Sequence, residues 1–114
     1  MKIAQLAHLS DPATCPRLVV KVGSALLVGK DGQPRREWLT ALVAEIAAAR
    51  ARGQEVIVVS SGAIALGARR LGLAKGGRGS LSDAQAAAAV GQIALAGLWA
   101  ELLGQHGLTA AQIL

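Results

Sequence analysis

The sequence has few of the residues on which several classes of protein depend. It contains one cysteine, Cys15, and no phenylalanine or tyrosine among its 114 residues. A single cysteine excludes an internal disulfide and a cysteine-based zinc site, and it favours an intracellular protein. Because Trp38 and Trp99 are the only large aromatic residues, we expect a core built from aliphatic side chains and alanine.

Long uninterrupted hydrophobic segments are also lacking. Residues 1–16 carry a single lysine and are interrupted by polar residues, so they do not have the apolar stretch of a signal peptide. No run approaches the length needed to cross a membrane. We therefore expect a cytoplasmic protein with no membrane partner.

The charge of the chain is +5 at neutral pH, and its hydrophobic content of 53% places it in the globular class. A basic balance raises the possibility of nucleic-acid binding. The basic residues are spread over most of the chain, however, and no aromatic residues are interleaved with them for base stacking. A nucleic-acid-binding domain stays open as an alternative that we do not favour.

The chain alternates between strand-like and helix-like segments. Strands and helices in this order predict a parallel sheet with helices on both of its faces. Residues 1–16 are predicted to be a leader outside the core, and residues 17–114 a single domain or part of one. The predicted elements are a strand at Arg17–Val22, a helix from Pro34 to Gly53, a strand at Glu55–Ser60, a helix from Gly62 to Leu71, a mobile loop at Lys75–Ser80, a helix from a capping box at Ser82–Gln85 to Leu103, and the start of a third strand at Thr109–Leu114.

Both predicted strands are β-branched runs, typical of strands buried on both faces, and both run directly into a glycine turn. The first turn is Lys21–Ser24 and the second is Ser60–Ala63. Ligands of parallel sheets bind beyond the carboxyl ends of the strands, so the two turns should lie at one rim. A turn of this kind at the start of a helix offers backbone N–H groups to an anion.

Lys21 is the most informative charged residue. It interrupts the run Val-Val-Lys-Val, where an ammonium group is costly to bury unless an anion meets it. A phosphate-contacting lysine would stabilise charge on a transferred phosphoryl group. The alternative is an edge-strand lysine whose ammonium reaches water. Gly23 and Gly62 could likewise be simple turn glycines.

Other phosphate and metal signatures are not found. The segment from Gly23 to Lys30 has one residue too many for a P-loop, and neither strand is followed by the dinucleotide-binding glycine pattern. His8 and His106 are far apart, and none of the seven Asp and Glu residues follows a strand. We therefore predict no metal ligand in this sequence.

Four segments of the chain resemble the amino acid kinase family, in order and at matching spacing. The resemblance covers Arg17 to Leu114 and implies a three-layer αβα sandwich with a mainly parallel sheet. Family members are more than twice as long, so we expect an N-terminal fragment in which this fold is incomplete and which is inactive alone. The segments are Leu18–Ser24, Val58–Ile64, Gln85–Gln92 and Leu98–Trp99.

The last two segments point within the family to the kinases that phosphorylate the γ-carboxylate of L-glutamate with ATP and Mg²⁺, in proline biosynthesis. The resemblance implies a homo-oligomer when complete, with the metal-binding and adenine-binding residues beyond Leu114. Kinases of the acetylglutamate or aspartate type, and a non-catalytic binding or assembly module, remain alternatives. The residues implicated by resemblance are Lys21 as the catalytic residue, Lys21, Gly23 and Ser24 beside the ATP phosphates, and Ser61, Gly62 and Ala63 at the glutamate.

Overall fold

The computed structural model describes residues 3–113. The described part contains two strands and four α-helices, with short 3-10 segments at Leu6–Ser10 and Ala74–Gly77. The elements are β1 (Arg17–Val22), α1 (Ser24–Leu27), α2 (Arg36–Ala51), β2 (Glu55–Ser60), α3 (Ala63–Leu71) and α4 (Leu81–Gly104).

The two strands pair in parallel and in full register. Arg17 lies opposite Glu55 at one end, where their side chains form an ion pair of 2.9 Å, and Val22 lies opposite Ser60 at the other. Both strands have the predicted bounds. Because the strands also end together, the residues after them leave the sheet at the same rim.

Only one face of this sheet is covered. Val20, Val56 and Val58 pack against the core, whereas Ile57 and Val59 on the opposite face are 44% and 50% exposed. Within residues 3–113 the strands are therefore not buried on both faces, as their β-branched runs predicted, and the αβα fold is present only in part. These residues supply the sheet and one helical layer of the predicted three-layer fold, so the β-branched side chains of the other face have nothing over them.

A single aliphatic cluster forms the core between the sheet and the helices. It contains no residue before β1 among the described part of the chain, and Trp99 is its only aromatic side chain. This confirms the aliphatic core expected from the composition. Its buried members are Val22, Leu27, Val28, Leu39, Val43, Ile46, Leu66, Leu95, Leu98, Trp99 and Leu102.

Helices α3 and α4 cross at a distance that only glycine permits. A Cβ added at Gly67 would overlap the carbonyl oxygen of Ala87, and one added at Gly91 would overlap the carbonyl oxygen of Ala63. The contact is reciprocal, since each helix contributes one glycine and one backbone carbonyl. The first residue of α3 is thereby fixed against the middle of α4.

The start of α4 differs from the predicted capping box. The helix begins at Leu81, and the side chain of Ser80 accepts a hydrogen bond from the Asp83 N–H at 3.1 Å. Ser82 therefore lies inside the first turn and is not the cap. The cap has moved because the pattern of a serine followed by a polar residue three positions later occurs twice, at Ser80 and at Ser82.

Helix α4 also corrects the expectation about hydrophobic runs. With 24 residues and few charges, it is long and apolar enough to cross a membrane by length and composition alone. Five of its side chains are buried in the same molecule, and one glycine crosses α3 closely. Core helices meet the same criterion, but only 39% of the apolar window is buried and Ile93 is 75% exposed, so α4 is buried on one face.

The segment before β1 is attached to the start of β2. Gln54 is fully buried, and its side-chain amide donates hydrogen bonds to the carbonyl oxygens of Leu9 (2.7 Å) and Cys15 (2.8 Å). Its Oε1 accepts from Arg52. All the polar groups of this buried amide are thus used, and residues 9–15 are held beside the sheet although they contribute nothing to the main cluster.

The segment 75–80, predicted as a mobile loop, has left-handed backbone at Lys75, Gly76 and Gly77, and Gly77 is buried. One prediction near the end of the chain needs correction. The third strand predicted at Thr109–Leu114 does not form over residues 109–113, and Leu114 lies outside the described residues. Residues 109–113 are exposed and pair with neither described strand, so no ladder hydrogen bonds support an extended conformation.

The helix crossing leads to a prediction about stability. Gly91→Ala should destabilise the chain by about 1–3 kcal/mol or more, because the new methyl group must push α3 away from α4. Gly97→Ala, in the same helix, is the matched control: its added Cβ would meet nothing within 4 Å. The control should be stabilising by about 0.5–1 kcal/mol, since alanine favours helix over glycine. Urea unfolding followed by circular dichroism measures both, and equal effects would contradict the close crossing.

Candidate active site

The rim formed by the strand ends brings the two glycine turns together. Ser60 is paired with Val22 across the sheet, and the N–H of Ser61 donates a hydrogen bond of 2.9 Å to the carbonyl oxygen of Val22. This bond extends the parallel ladder one step beyond β2. The prediction that Lys21–Ser24 and Ser60–Ala63 lie at one rim is confirmed.

The first turn is open. The carbonyl oxygen of Gly23 accepts hydrogen bonds from the N–H groups of Leu26 and Leu27, each at 3.1 Å, and so begins α1. Gly23 has a φ of −73°, and an added Cβ would meet nothing within 4 Å. Neither its conformation nor its neighbours require glycine here. Gly23 is half-buried and Ser24, the next residue, is exposed, so the turn presents a polar side chain to solvent.

The second turn is closed on the side of the core. Gly62 has a φ of 115°, in the left-handed region that favours glycine, and an added Cβ would overlap Cδ2 of Leu27. Leu27 belongs to the first turn's helix and is fully buried. Gly62 is therefore required as a turn glycine, and its contact with Leu27 joins the two turns directly.

The substrate-side residues predicted in the second turn have different surroundings. Ser61 is exposed, Gly62 is buried and Ala63 is half-buried. The carbonyl oxygen of Ala63 lies against Gly91 of α4, so this end of the turn is fixed by the helix crossing. The hydroxyl of Ser61 is thus offered to solvent from a backbone that is held on both sides.

Lys21 is exposed, not buried as its neighbours in the sequence suggested. It alternates with Val20 and Val22 and so shares the uncovered face of the sheet with Val19, opposite Val59. The ion pairs of the described residues, Arg17 with Glu55 and Arg36 with Glu101, do not involve it. Lys21 lies two residues before Gly23. Because its side chain is exposed, the ammonium group does not need an anion to compensate for burial.

One residue near the rim was not predicted to contribute. The indole N–H of Trp99, on α4, donates a hydrogen bond of 3.1 Å to the hydroxyl of Ser60. That hydroxyl donates in turn to the carbonyl oxygen of Ser61 at 3.0 Å. The Leu98–Trp99 pair is part of the resemblance to the amino acid kinase family, but no local sequence pattern predicts its contact with the end of β2.

A groove of the described residues lies elsewhere. It has a volume of about 470 Å³ and lies between the segment after α1, helix α3 and helix α4. Arg36 and Arg69 line it, but the first is paired with Glu101 and the second donates to the carbonyl oxygen of Asp31. None of the predicted site residues lines this groove, so we assign the candidate site to the rim.

The described residues do not fit a metal site. No group of three or more His, Cys, Asp or Glu side chains within residues 3–113 is arranged to hold an ion. A Mg²⁺ ion requires several oxygen ligands, usually including carboxylates. This part of the chain can therefore meet a substrate with hydrogen-bond donors and one lysine, but it does not itself provide the carboxylates for Mg²⁺.

Comparison with known proteins gives a consistent result. The amino acid kinase family model matches residues 16–114. A glutamate 5-kinase of Novosphingobium aromaticivorans is 88% identical over 114 residues, covering the whole chain. Glutamate 5-kinases of Sphingopyxis alaskensis and Zymomonas mobilis are 70% and 61% identical over 93% and 90% of the chain. The chain spans only 30%, 29% and 26% of the lengths of these three relatives.

The two turn glycines should respond differently to the same substitution. Gly62→Ala should destabilise the chain by about 1–3 kcal/mol, because alanine is strained at a φ of 115° and its methyl group would overlap Leu27. Gly23→Ala, with an ordinary φ and open space, should leave stability unchanged within about 0.5 kcal/mol.

Thermal unfolding of the two variants beside the parent chain tests this contrast. In the double variant Leu27→Ala/Gly62→Ala the overlap is relieved, so the combined loss should be smaller than the sum of the two single losses. Full additivity would show that the two turns do not contact each other.

Proposed function

The chain belongs to the amino acid kinase family, and from that premise we propose that it is the N-terminal segment of a glutamate 5-kinase. The proposed reaction transfers the γ-phosphoryl group of ATP to the γ-carboxylate of L-glutamate, the first step towards proline. The identity of 88% to a glutamate 5-kinase over the whole chain supports this most strongly. The joining of the two turns at one rim supports a site for two adjacent anionic substrates.

In this proposal the first turn meets the nucleotide. Neither the φ of Gly23 nor its neighbours require glycine at this position. A ligand that approaches the backbone closely would explain the absence of a side chain. Ser24 would contact a phosphate beside it. Lys21, as the catalytic residue, would place its ammonium near the transferred phosphoryl group.

The second turn would meet the acceptor. The hydroxyl of Ser61 would donate a hydrogen bond to a carboxylate of glutamate, with Gly62 and Ala63 supporting it from the backbone. A carboxylate oxygen of glutamate then attacks the γ-phosphorus, and the bond to the leaving ADP oxygen breaks. Negative charge on the transferred group is spread over its oxygens during this step, and a nearby ammonium stabilises it.

The family uses Mg²⁺ with ATP, and we propose that the ligands for the ion come from outside residues 3–113. The same proposal places residues 17–114 in the kinase domain and residues 1–16 in a leader, although Gln54 binds the latter to the sheet. We further propose a cytoplasmic enzyme that is a homo-oligomer when complete.

A hybrid protein provides the test. In it, this chain replaces the matching segment of the N. aromaticivorans glutamate 5-kinase, and the chain's residues keep their numbers here. The hybrid should phosphorylate L-glutamate with ATP and should use acetylglutamate or aspartate poorly. A hybrid that folds but prefers either of the other acceptors would contradict the assignment to glutamate, and one with no kinase activity would favour a non-catalytic module.

Lys21→Ala in the hybrid should reduce kcat by about 10²–10³-fold, because its charge is needed most as phosphoryl charge develops. The KM for glutamate should change little, since the lysine is not assigned to the acceptor. Lys30→Ala, which removes another exposed lysine, should leave both constants near the parent values. Steady-state kinetics decide the matter, and an unchanged kcat in the Lys21 variant would remove Lys21 from the catalytic role.

Ser61→Ala should weaken glutamate binding about tenfold or more, corresponding to the loss of about 1.5–3 kcal/mol from one hydrogen bond to a charged group. ATP binding should stay near normal. Ser82→Ala, which removes an exposed hydroxyl in the first turn of α4, is the control. Calorimetric titration of each substrate measures both affinities. If ATP affinity fell and glutamate affinity did not, the roles of the two turns would have to be exchanged.

A further inference from the structure

A chain of hydrogen bonds runs from helix α4 to the second turn. Its first donor is the indole N–H of Trp99, its middle member is the hydroxyl of Ser60, and its end is the carbonyl oxygen of Ser61. The two distances are 3.1 Å and 3.0 Å. Any role for these bonds in substrate binding rests on the proposed function, because they end at the acceptor side of that site.

The side-chain chemistry fixes the direction of these hydrogen bonds. An indole N–H can only donate, so the Ser60 oxygen is the acceptor and the single hydroxyl proton of Ser60 is left for Ser61. Trp99 is only 8% exposed, and a buried indole N–H needs a partner. Hydrogen bonds in such a series polarise one another, which strengthens the bond to Ser61.

The peptide plane carries this constraint to the next residue. In a trans peptide the C=O and the adjoining N–H lie in one plane and point in opposite directions. Holding the carbonyl of Ser61 therefore sets the direction of the Gly62 N–H. The N–H of Ser61 is already held by the carbonyl of Val22, so both peptide groups that flank the Ser61 side chain are fixed.

The position of Ser60 argues for a role besides packing. It comes after Val56 and Val58 on the core-facing side of β2, where the alternation would continue with another valine. A serine there loses apolar contact and needs hydrogen-bond partners. Trp99 gives it one and Ser61 the other, and phenylalanine could fill the same part of the core as Trp99 without reaching Ser60.

We infer that Trp99 is a positioning residue for the acceptor substrate, acting through Ser60 to orient the Ser61–Gly62 peptide at the glutamate side of the rim. It touches no substrate. Its indole N–H and the Ser60 hydroxyl hold the turn in the orientation in which the exposed Ser61 hydroxyl meets a carboxylate.

Trp99→Phe in the hybrid kinase removes the N–H and keeps an aromatic ring. The KM for glutamate should rise about fivefold, the change equivalent to one neutral hydrogen bond, with kcat within about twofold and the KM for ATP unchanged. Ser60→Ala should give the same pattern without loss of core volume. The double variant should be no worse than either single variant, because both break one series of hydrogen bonds.

Two further variants separate positioning from packing. Ser60→Thr keeps the hydroxyl and should retain the parent KM. Trp38→Phe, at an exposed position of α2, should change nothing. Thermal melting is recorded for every variant. A lower melting temperature with an unchanged KM for glutamate, in both Trp99→Phe and Ser60→Ala, would overturn the positioning role and leave only a packing role.

The outcome is separable from that of the proposed function. If the unsubstituted hybrid phosphorylates glutamate and the two variants bind it normally, the inference about Trp99 is wrong and the proposed function stands. If the unsubstituted hybrid does not use glutamate, the proposed function is contradicted. The inference that Trp99 positions this turn for glutamate is then contradicted too. Should Trp99→Phe fail to fold, Ser60→Ala alone decides, because it leaves the core cluster intact.

Discussion

The close crossing of α3 and α4 is the constraint on which the rim depends. Two glycines allow backbone carbonyls of the opposite helices into positions that a methyl group would occupy. One of those carbonyls belongs to Ala63, the first residue of α3, so the crossing determines where α3 starts. The turn that joins β2 to α3 must then fit between a fixed strand end and a fixed helix start. The left-handed conformation of Gly62 results from that short connection.

The same crossing explains how a residue on α4 reaches the end of β2. Gly91 and Trp99 are separated by about two turns of one helix, and placing the first against Ala63 directs the second towards Ser60. The aliphatic cluster around Leu95 and Leu98 fills the space between. The turn between β2 and α3 is therefore held by the helix crossing at Ala63 and by the hydrogen bond from Trp99 to Ser60. Together these contacts keep Ser61 at the rim with its side chain exposed.

Much of this arrangement could be predicted from local sequence. The β-branched runs predicted both strands with their observed bounds, and α2 and α3 lie within the predicted segments, because propensity and flanking glycines agree there. The cap of α4 could not be chosen, since Ser80 and Ser82 carry the same local signal. The bond between Trp99 and Ser60 joins residues 39 positions apart and depends on the helix crossing, which has no local signature. The uncovered face of the sheet was missed for a similar reason: a β-branched run indicates that both faces can be buried, not that residues 3–113 contain the layer to bury them.

The two turn glycines have different roles although the turns have similar sequences: one is required by the fold and the other is not. Gly62 is needed by the fold, for its φ and for its contact with Leu27, so its presence is explained before any ligand is considered. Gly23 has an ordinary φ and free space around it, so the fold alone leaves it unexplained. Gly23 lies at the rim, beside an exposed serine and two residues after a lysine. Ligand binding is therefore the simplest explanation for a glycine at this position. The less constrained of the two turns is therefore the better marker of the proposed site, and the more constrained turn holds it in place.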